Sequence, residues 1–160
     1  MMAIEIERKF LLRNEAWRQV ADAGCEYRQG YLHSDPSIAV RVRLAGDQAW
    51  LTIKGNVSSL IRQEYEYCIP VADAQEMLDQ LCRQPLIEKR RYRVPVGVHV
   101  WEIDEFQGAN QGLLLAEIEL SRVDEPFERP AWLGEEVSED PRYFIAALSQ
   151  HPYQEWADEL

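Results

Sequence analysis

Residues 3–11 run Ala3-Ile4-Glu5-Ile6-Glu7-Arg8-Lys9-Phe10-Leu11. Side chains alternate across an extended backbone, so Glu5, Glu7 and Lys9 share one face of this stretch, and Ile4, Ile6 and Phe10 the other. The alternation returns at residues 37–44, 49–54, 60–69, 87–94, 98–106 and 113–121, and more weakly at 26–33, which makes eight candidate strands. Turn signals separate several of them: Ser34-Asp35-Pro36, Ala45-Gly46-Asp47, Gly55-Asn56 and Gly108-Ala109-Asn110. Such short connections predict antiparallel hairpins. Helical patterns fall at three places. Residues 14–23 carry Asn14 as N-cap and Gly24 just past the end. A second helix starts at Asp73, with Glu76 completing a capping-box-like pattern and Met77, Leu78 and Leu81 on one face. A third covers residues 141–148, using Phe144, Ile145 and Leu148. The fold class is α+β with a dominant antiparallel sheet, and eight strands suffice to close a β-barrel.

The other strands divide by parity as the first does. Arg41 and Arg43 oppose Val40, Val42 and Leu44; Thr52 and Lys54 oppose Leu51 and Ile53; Arg62, Glu64 and Glu66 oppose Ile61, Tyr65, Tyr67 and Ile69. Lys89, Arg91 and Arg93 line up, as do Glu102 with Asp104 and Glu117 with Glu119. A half-exposed antiparallel sheet ordinarily turns its polar face to water. Here those faces hold almost only charge, in like-sign pairs, and the apolar faces hold Ile, Val, Leu and Tyr with helices available to cover them. Helices packed outside a closed sheet would send the charged faces inward, giving a charged interior. Hard carboxylate ligands suit Mg²⁺ or Mn²⁺ far better than zinc, with Ca²⁺ also compatible. Forked guanidinium donors at several heights suit successive phosphate groups.

Composition bounds the remaining classes. The chain has 160 residues, 46% of them hydrophobic, enough for a substantial core in a single domain spanning 1–160. Its formal net charge of −11 argues against a nucleic-acid surface. No apolar run approaches a membrane span, and the start Met1-Met2-Ala3-Ile4-Glu5 lacks the pattern of a secretory leader. Cys25, Cys68 and Cys82 are odd in number and lack metal-site spacing, so a reduced, cytoplasmic protein is expected. Nothing in the sequence specifies an assembly; a homodimer is compatible with it. Trp17 has the spacing of a packing residue, whereas Trp50 and Trp101 are assigned to the outer face. The acidic stretch 134–140 is expected to be a solvated loop.

Glu5-Ile6-Glu7-Arg8-Lys9 resembles the E-x-E-x-K signature of the CYTH superfamily, the triphosphate tunnel metalloenzymes. The resemblance continues in order through Arg41-x-Arg43, Lys54, Arg62-Gln63-Glu64-Tyr65-Glu66, Lys89-Arg90-Arg91-Tyr92, Trp101-Glu102-Ile103-Asp104-Glu105-Phe106 and Glu117-Ile118-Glu119-Leu120. Gly134-Glu135-Glu136-Val137 and Asp140-x-Arg142-Tyr143 extend it to the C-terminal part, and it is nearest to the short bacterial tripolyphosphatases. It implies an eight-stranded tunnel that binds a triphosphate with divalent metal. It also implies metal ligation by Glu5, Glu7, Asp104, Glu117 and Glu119, with Glu64 and Glu66 next. Phosphate binding would fall to Lys9, Arg41, Arg43, Lys54, Arg62 and Arg91. Gln29-Gly30-Tyr31-Leu32 resembles a segment in which a Tyr acts with a Lys, here Tyr31 and Lys89. As a residue on its own, Tyr31 is equally a barrel-wall aromatic. For Glu102 the resemblance leaves two roles open, metal ligand or partner of a lining base, and Arg93 lies outside the matched pattern. Phe144-Ile145 departs from the more polar segment expected there, which puts substrate contact by the last helix in doubt.

Fold does not settle the reaction, because the family also includes thiamine triphosphatases, class IV adenylyl cyclases and fungal RNA triphosphatases. The reading from sequence is metal-dependent hydrolysis of a linear triphosphate, inorganic tripolyphosphate first, to diphosphate and phosphate. Cyclase chemistry on ATP, thiamine triphosphate hydrolysis and a polyphosphate-binding module without turnover are the alternatives.

Overall fold

A computed structural model of the chain describes residues 3–56 and 60–159. Met1 and Met2, part of the N-terminal stretch weighed above as a leader, lie outside the described residues. Among the described residues nine strands form: β1 (Ile4–Leu12), β2 (Cys25–Ser34), β3 (Ile38–Ala45), β4 (Gln48–Gly55), β5 (Ile61–Ile69), β6 (Ile87–Val96), β7 (His99–Phe106), β8 (Leu114–Leu120) and β9 (Leu133–Glu136). Helices α1 (Val71–Gln80), α2 (Ile145–Gln150) and α3 (Tyr153–Trp156) complete the main elements. The sheet order is β5-β4-β3-β2-β6-β7-β8-β1-β9, every pairing is antiparallel, and β1 also pairs with β5. That last pairing closes eight strands into a barrel. It uses the first half of β1 (Ile4, Glu5, Ile6), after which β9 takes over the same edge from Phe10 to Leu12, across a bulge.

The apolar faces of the strands are covered from outside. Phe10, Val94, Trp101, Ile103, Ala116 and Ile118 pack beneath Trp17, Trp132 and Leu133. Val42 and Ala49 pack beneath Ala74 and Leu78 of α1. A third cluster joins Ile87, Phe106 and Leu115 to Tyr143, Leu148 and Trp156. These three strand residues have the parity of Lys89, Asp104 and Glu117, so they point inward. The interior therefore changes from charged to apolar along its length, and the C-terminal segment stoppers the apolar end. The closed eight-stranded barrel with helices outside is the architecture expected, with one end of its interior covered by the C-terminal segment. Among the described residues no helix is long and apolar enough to cross a membrane.

Several local expectations change. Residues 14–23 make only one 3-10 turn, Ala16–Gln19. Trp17 is buried on the barrel wall, and Asp22 is bonded to β6 through both its backbone N–H and its side chain, so the chain cannot coil through this stretch. Helix α1 starts at Val71, after Pro70, with Asp73 inside its first turn. The predicted C-terminal helix is broken at Phe144, whose backbone is extended, into a 3-10 turn Pro141–Tyr143 and α2, and α3 was not foreseen. The acidic stretch is partly strand. Glu136 sits on β9 and accepts two bonds from Arg8, at 2.8 and 2.6 Å.

Gly134 makes the β9 join possible. A Cβ there would stand 2.9 Å from the Leu11 carbonyl oxygen and 3.1 Å from its carbon, which are backbone atoms that cannot turn aside. Gly134→Ala is expected to destabilise the fold by about 1–3 kcal/mol, seen as a lower urea midpoint at unchanged m-value. A midpoint equal to the parent's would show that the β1 bulge yields freely.

Candidate active site

The barrel encloses a cavity of about 300 Å³. All eight inward bases reach it: Lys9, Arg41, Arg43, Lys54, Arg62, Lys89, Arg91 and Arg93. Glu5, Glu7, Glu64, Glu66, Glu102, Glu117 and Glu119 line it too, as does Tyr31. Antiparallel register brings these residues together. Glu5 lies opposite Arg62, Lys9 opposite Glu117, Lys54 opposite Glu64, and Arg91 opposite Asp104.

Near β1 and β5, Lys54 Nζ is 3.3 Å from both Glu5 Oε1 and Glu64 Oε2. Arg62 Nη2 bridges Glu5 and Glu7 at 3.3 and 3.2 Å. Burial, and then the neighbouring Glu64 carboxyl, raise Glu5 above the usual carboxylate range. Burial also pushes Glu7 up to about 8, helped by the charges of Glu117 and Glu5. Glu117 is as buried, but Lys9, Arg91 and Lys89 hold it ionised, well below the ordinary value. Without a metal the two neighbouring carboxyls are thus driven apart, Glu7 toward holding its proton and Glu117 toward the anion. Carboxylates crowded together and cut off from water, so that the anion is disfavoured despite Lys54 and Arg62 beside them, are a donor set that a divalent cation would relieve. They do not form a ready-made nest: among the described residues no three acidic, His or Cys side chains are gathered around one point. The oxygen donors nonetheless fit a hard ion whose remaining positions go to water or substrate.

On the β6 side, Asp104 is wholly buried and does not reach the cavity surface. It accepts from Lys89 Nζ at 2.7 Å and from Arg91 Nε and Nη2 at 2.7 and 2.9 Å. Arg91 and Lys89 hold its carboxyl below the ordinary value against the effect of burial. Burial pushes Lys89 down to about 7; Asp104 opposes this, and Arg91 and Arg43 add to it. Glu102 pairs with Arg91 at 3.2 Å and Arg93 at 3.6 Å, as a lining base would require. Arg93 is half-exposed, at the mouth.

The phosphate-binding candidates divide by how they are occupied. Lys9 Nζ donates to the Tyr143 carbonyl at 3.0 Å, which ties the cavity floor to the C-terminal stopper. Arg41 Nη2 reaches Thr52 at 3.4 Å, and Thr52 donates to Glu66 at 2.9 Å. Arg43 Nε donates to the neutral Gln29 Oε1 at 2.8 Å; burial and the Arg41 and Arg91 charges press it down to about 10. Among the described residues, Arg41 Nε, Arg62 Nε and Gln29 Nε2 are buried with no partner. An unmatched buried donor is costly, so the cavity favours an anion rich in acceptor oxygens.

Some residues at the site were missed by the sequence reading. Trp50 lines the cavity and not the outer face; it shares the parity of Thr52 and Lys54, and that spacing was available to be read. Trp101, by contrast, is on the outer side. Tyr27 and Gln29 share the parity of Tyr31, and Lys89 Nζ stands over two rings, Tyr27 at 5.8 Å and Phe106 at 5.6 Å. Phe144, Ile145 and Ala146 also line the cavity, so the segment set aside for its apolar character does reach the site.

The Glu7 shift has a stability consequence. Between the unfolded value near 4.5 and the folded value of about 8, the native state holds more protons than the unfolded chain, so Glu7's contribution is full below 4.5 and lost as pH rises through 8. In metal-free buffer, Glu7→Gln should therefore gain melting temperature relative to the parent as pH rises across that window. A difference that stays constant with pH would contradict the assignment.

Comparison with known proteins agrees with the geometry. The chain is 45% identical over 157 residues, 98% of its own length and 100% of the relative's, to the inorganic triphosphatase of Acetivibrio thermocellus. It is 39% identical over 150 residues to the inorganic triphosphatase of Nitrosomonas europaea, covering 91% of this chain and 96% of that one. The crystal structure of the inorganic triphosphatase NE1496 superposes with a TM-score of 0.63 at 35% identity, covering 90% of this chain and 96% of that one. A CYTH domain model matches residues 3–151, and with the closed, charge-lined barrel already in view, the chain belongs to the CYTH family.

Proposed function

We propose that the protein hydrolyses a linear triphosphate, inorganic tripolyphosphate first, with Mg²⁺ or Mn²⁺. The observation that carries this is a cavity inside the barrel in which, among the described residues, buried guanidinium nitrogens lack partners while carboxylates crowd together on the strands β1 and β8. Glu5, Glu7, Glu117 and Glu119, with Glu64 and Glu66 at the side, are the oxygen donors for the ion. Bound there, a divalent cation would screen charge on phosphate oxygens and make water more acidic. Arg41, Arg43, Lys54 and Arg62 would hold the phosphate chain, with Lys9 and Arg91 toward the floor. Their preset positions offset charge that develops on the departing diphosphate oxygen. Lys89, with a pKa near neutrality, can exchange a proton at the reacting end, with Tyr31 along the same wall. Asp104 serves as the counter-charge that orients Lys89 and Arg91. In the overall reaction a water oxygen bonds the terminal phosphorus as its bridging P–O bond breaks, giving phosphate and diphosphate.

The test is a product assay on tripolyphosphate, ATP, thiamine triphosphate and diphosphate, each with Mg²⁺ and with Mn²⁺. Fastest turnover is expected on tripolyphosphate, with equimolar phosphate and diphosphate, and no cleavage of diphosphate. Tight tripolyphosphate binding without product, or cyclic AMP from ATP, would overturn the reading.

A further inference from the structure

Tyr27 lies on β2, in register with Lys89 of β6 on one side and Ala45 of β3 on the other. Its ring is buried in the cavity wall, and three cations stand against it. Arg43 Cζ is 5.0 Å from the ring centroid, Arg91 Cζ 5.2 Å and Lys89 Nζ 5.8 Å. Two of these cations are held by Asp104, but Arg43 is different: among the described residues it donates to the neutral amide of Gln29. A carboxylate beside Arg43 would fix its orientation and also neutralise it, competing with an incoming anion. An aromatic face attracts a guanidinium through its quadrupole while leaving the formal charge in place.

We infer that Tyr27 is a positioning residue for triphosphate binding: its ring holds Arg43 against its like-charged neighbours Arg91 and Lys89, keeping an un-neutralised guanidinium aimed into the cavity. The inference rests on the triphosphate reading above and goes beyond it by assigning a neutral residue to anion affinity. The phenol hydroxyl is not required; the face of the ring is. The interaction is made alike in the ground state and the transition state, so its loss should appear mainly in KM.

The decisive variants change the ring's electrons and little else. Tyr27→Phe should stay close to the parent. Phenylalanine analogues with one, two and three ring fluorines at position 27 should then raise the KM for tripolyphosphate stepwise, by about tenfold in total, with kcat within about twofold. The tripolyphosphate Kd, from calorimetry in metal-free buffer, should rise in the same order. Phe127 stacks on Arg129 at 4.9 Å outside the cavity, so the same fluorines there should change neither constant. A flat KM and Kd across the position 27 series would overturn the inference, as would a Tyr27→Phe variant as impaired as Tyr27→Leu. The analogues preserve ring shape, so the test does not depend on Tyr27→Leu folding. If the parent binds tripolyphosphate but releases no phosphate, the hydrolytic reading fails, and the Kd series alone decides the role of Tyr27.

Discussion

Glu117→Gln is expected to lower metal-supported phosphate release from tripolyphosphate by about a hundredfold or more, the scale on which metal-site carboxylates act. Among the described residues lining the cavity, Glu117 is a buried carboxylate whose surroundings, Lys9, Arg91 and Lys89, hold its pKa well below the ordinary value, whereas burial raises that of its neighbour Glu7. The amide keeps the shape and removes the charge. Glu7 would then no longer face an anion and would ionise more readily, but the site would still carry one negative charge fewer. Rate measured against Mn²⁺ concentration separates the causes: weaker ligation shifts the metal midpoint upward, whereas mere distortion lowers the plateau without moving it. Glu119→Gln should act in the same direction, and more weakly, because Glu119 is exposed at the mouth. Turnover unchanged in both variants would refute the ligand assignment.

The largest stability effect should come from Asp104→Asn. Asp104 makes three charge-assisted bonds, of 2.7, 2.7 and 2.9 Å, to two cations buried with it. Removing one member of such a cluster leaves uncompensated charge in a low-dielectric interior, at a cost of about 3–5 kcal/mol. Because the Asp104 pKa is depressed, its contribution is present above the ordinary carboxylate value and fades as acid protonates the folded form. The deficit of the variant should accordingly be large at neutral pH and shrink in acid. Lys89→Met in the Asp104→Asn background should recover part of the loss, since a neutral side chain replaces the stranded ammonium. Simple additivity of the two substitutions in urea denaturation would contradict this coupling.

Much of this site was legible as parity. Glu5, Glu7, Lys9, Arg41, Arg43, Lys54, Arg62, Glu64, Lys89, Arg91, Glu117 and Glu119 fall on inward rows because a strand has a period of two, and a closed sheet turns all such rows to one lumen. Trp50 obeys the same rule and was misplaced only because it is aromatic. What parity does not carry is depth. Asp104 shares the row of Glu102 yet lies behind Lys89 and Arg91, since depth depends on the lengths of neighbouring side chains. The apolar floor of Ile87, Phe106 and Leu115 was hidden for a related reason: inward apolar residues at a strand end look like ordinary core until the stopper that covers them is known. β9 was unreadable because four residues, Leu133–Glu136, hold too few alternations, and its pairing depends on a bulge in β1 over a hundred residues away. The 14–23 stretch has good local helix signals, which the anchoring of Trp17 and Asp22 to the barrel overrides.

The most direct measurement is a crystal structure of the protein grown with tripolyphosphate and Mn²⁺, phased to show the manganese anomalous signal. The predicted result is a phosphate chain inside the barrel on Arg41, Arg43 and Arg62, with manganese between it and the Glu5, Glu7 and Glu117 carboxylates. Tripolyphosphate and manganese found only on the outer surface, with the interior charges still paired among themselves, would contradict it.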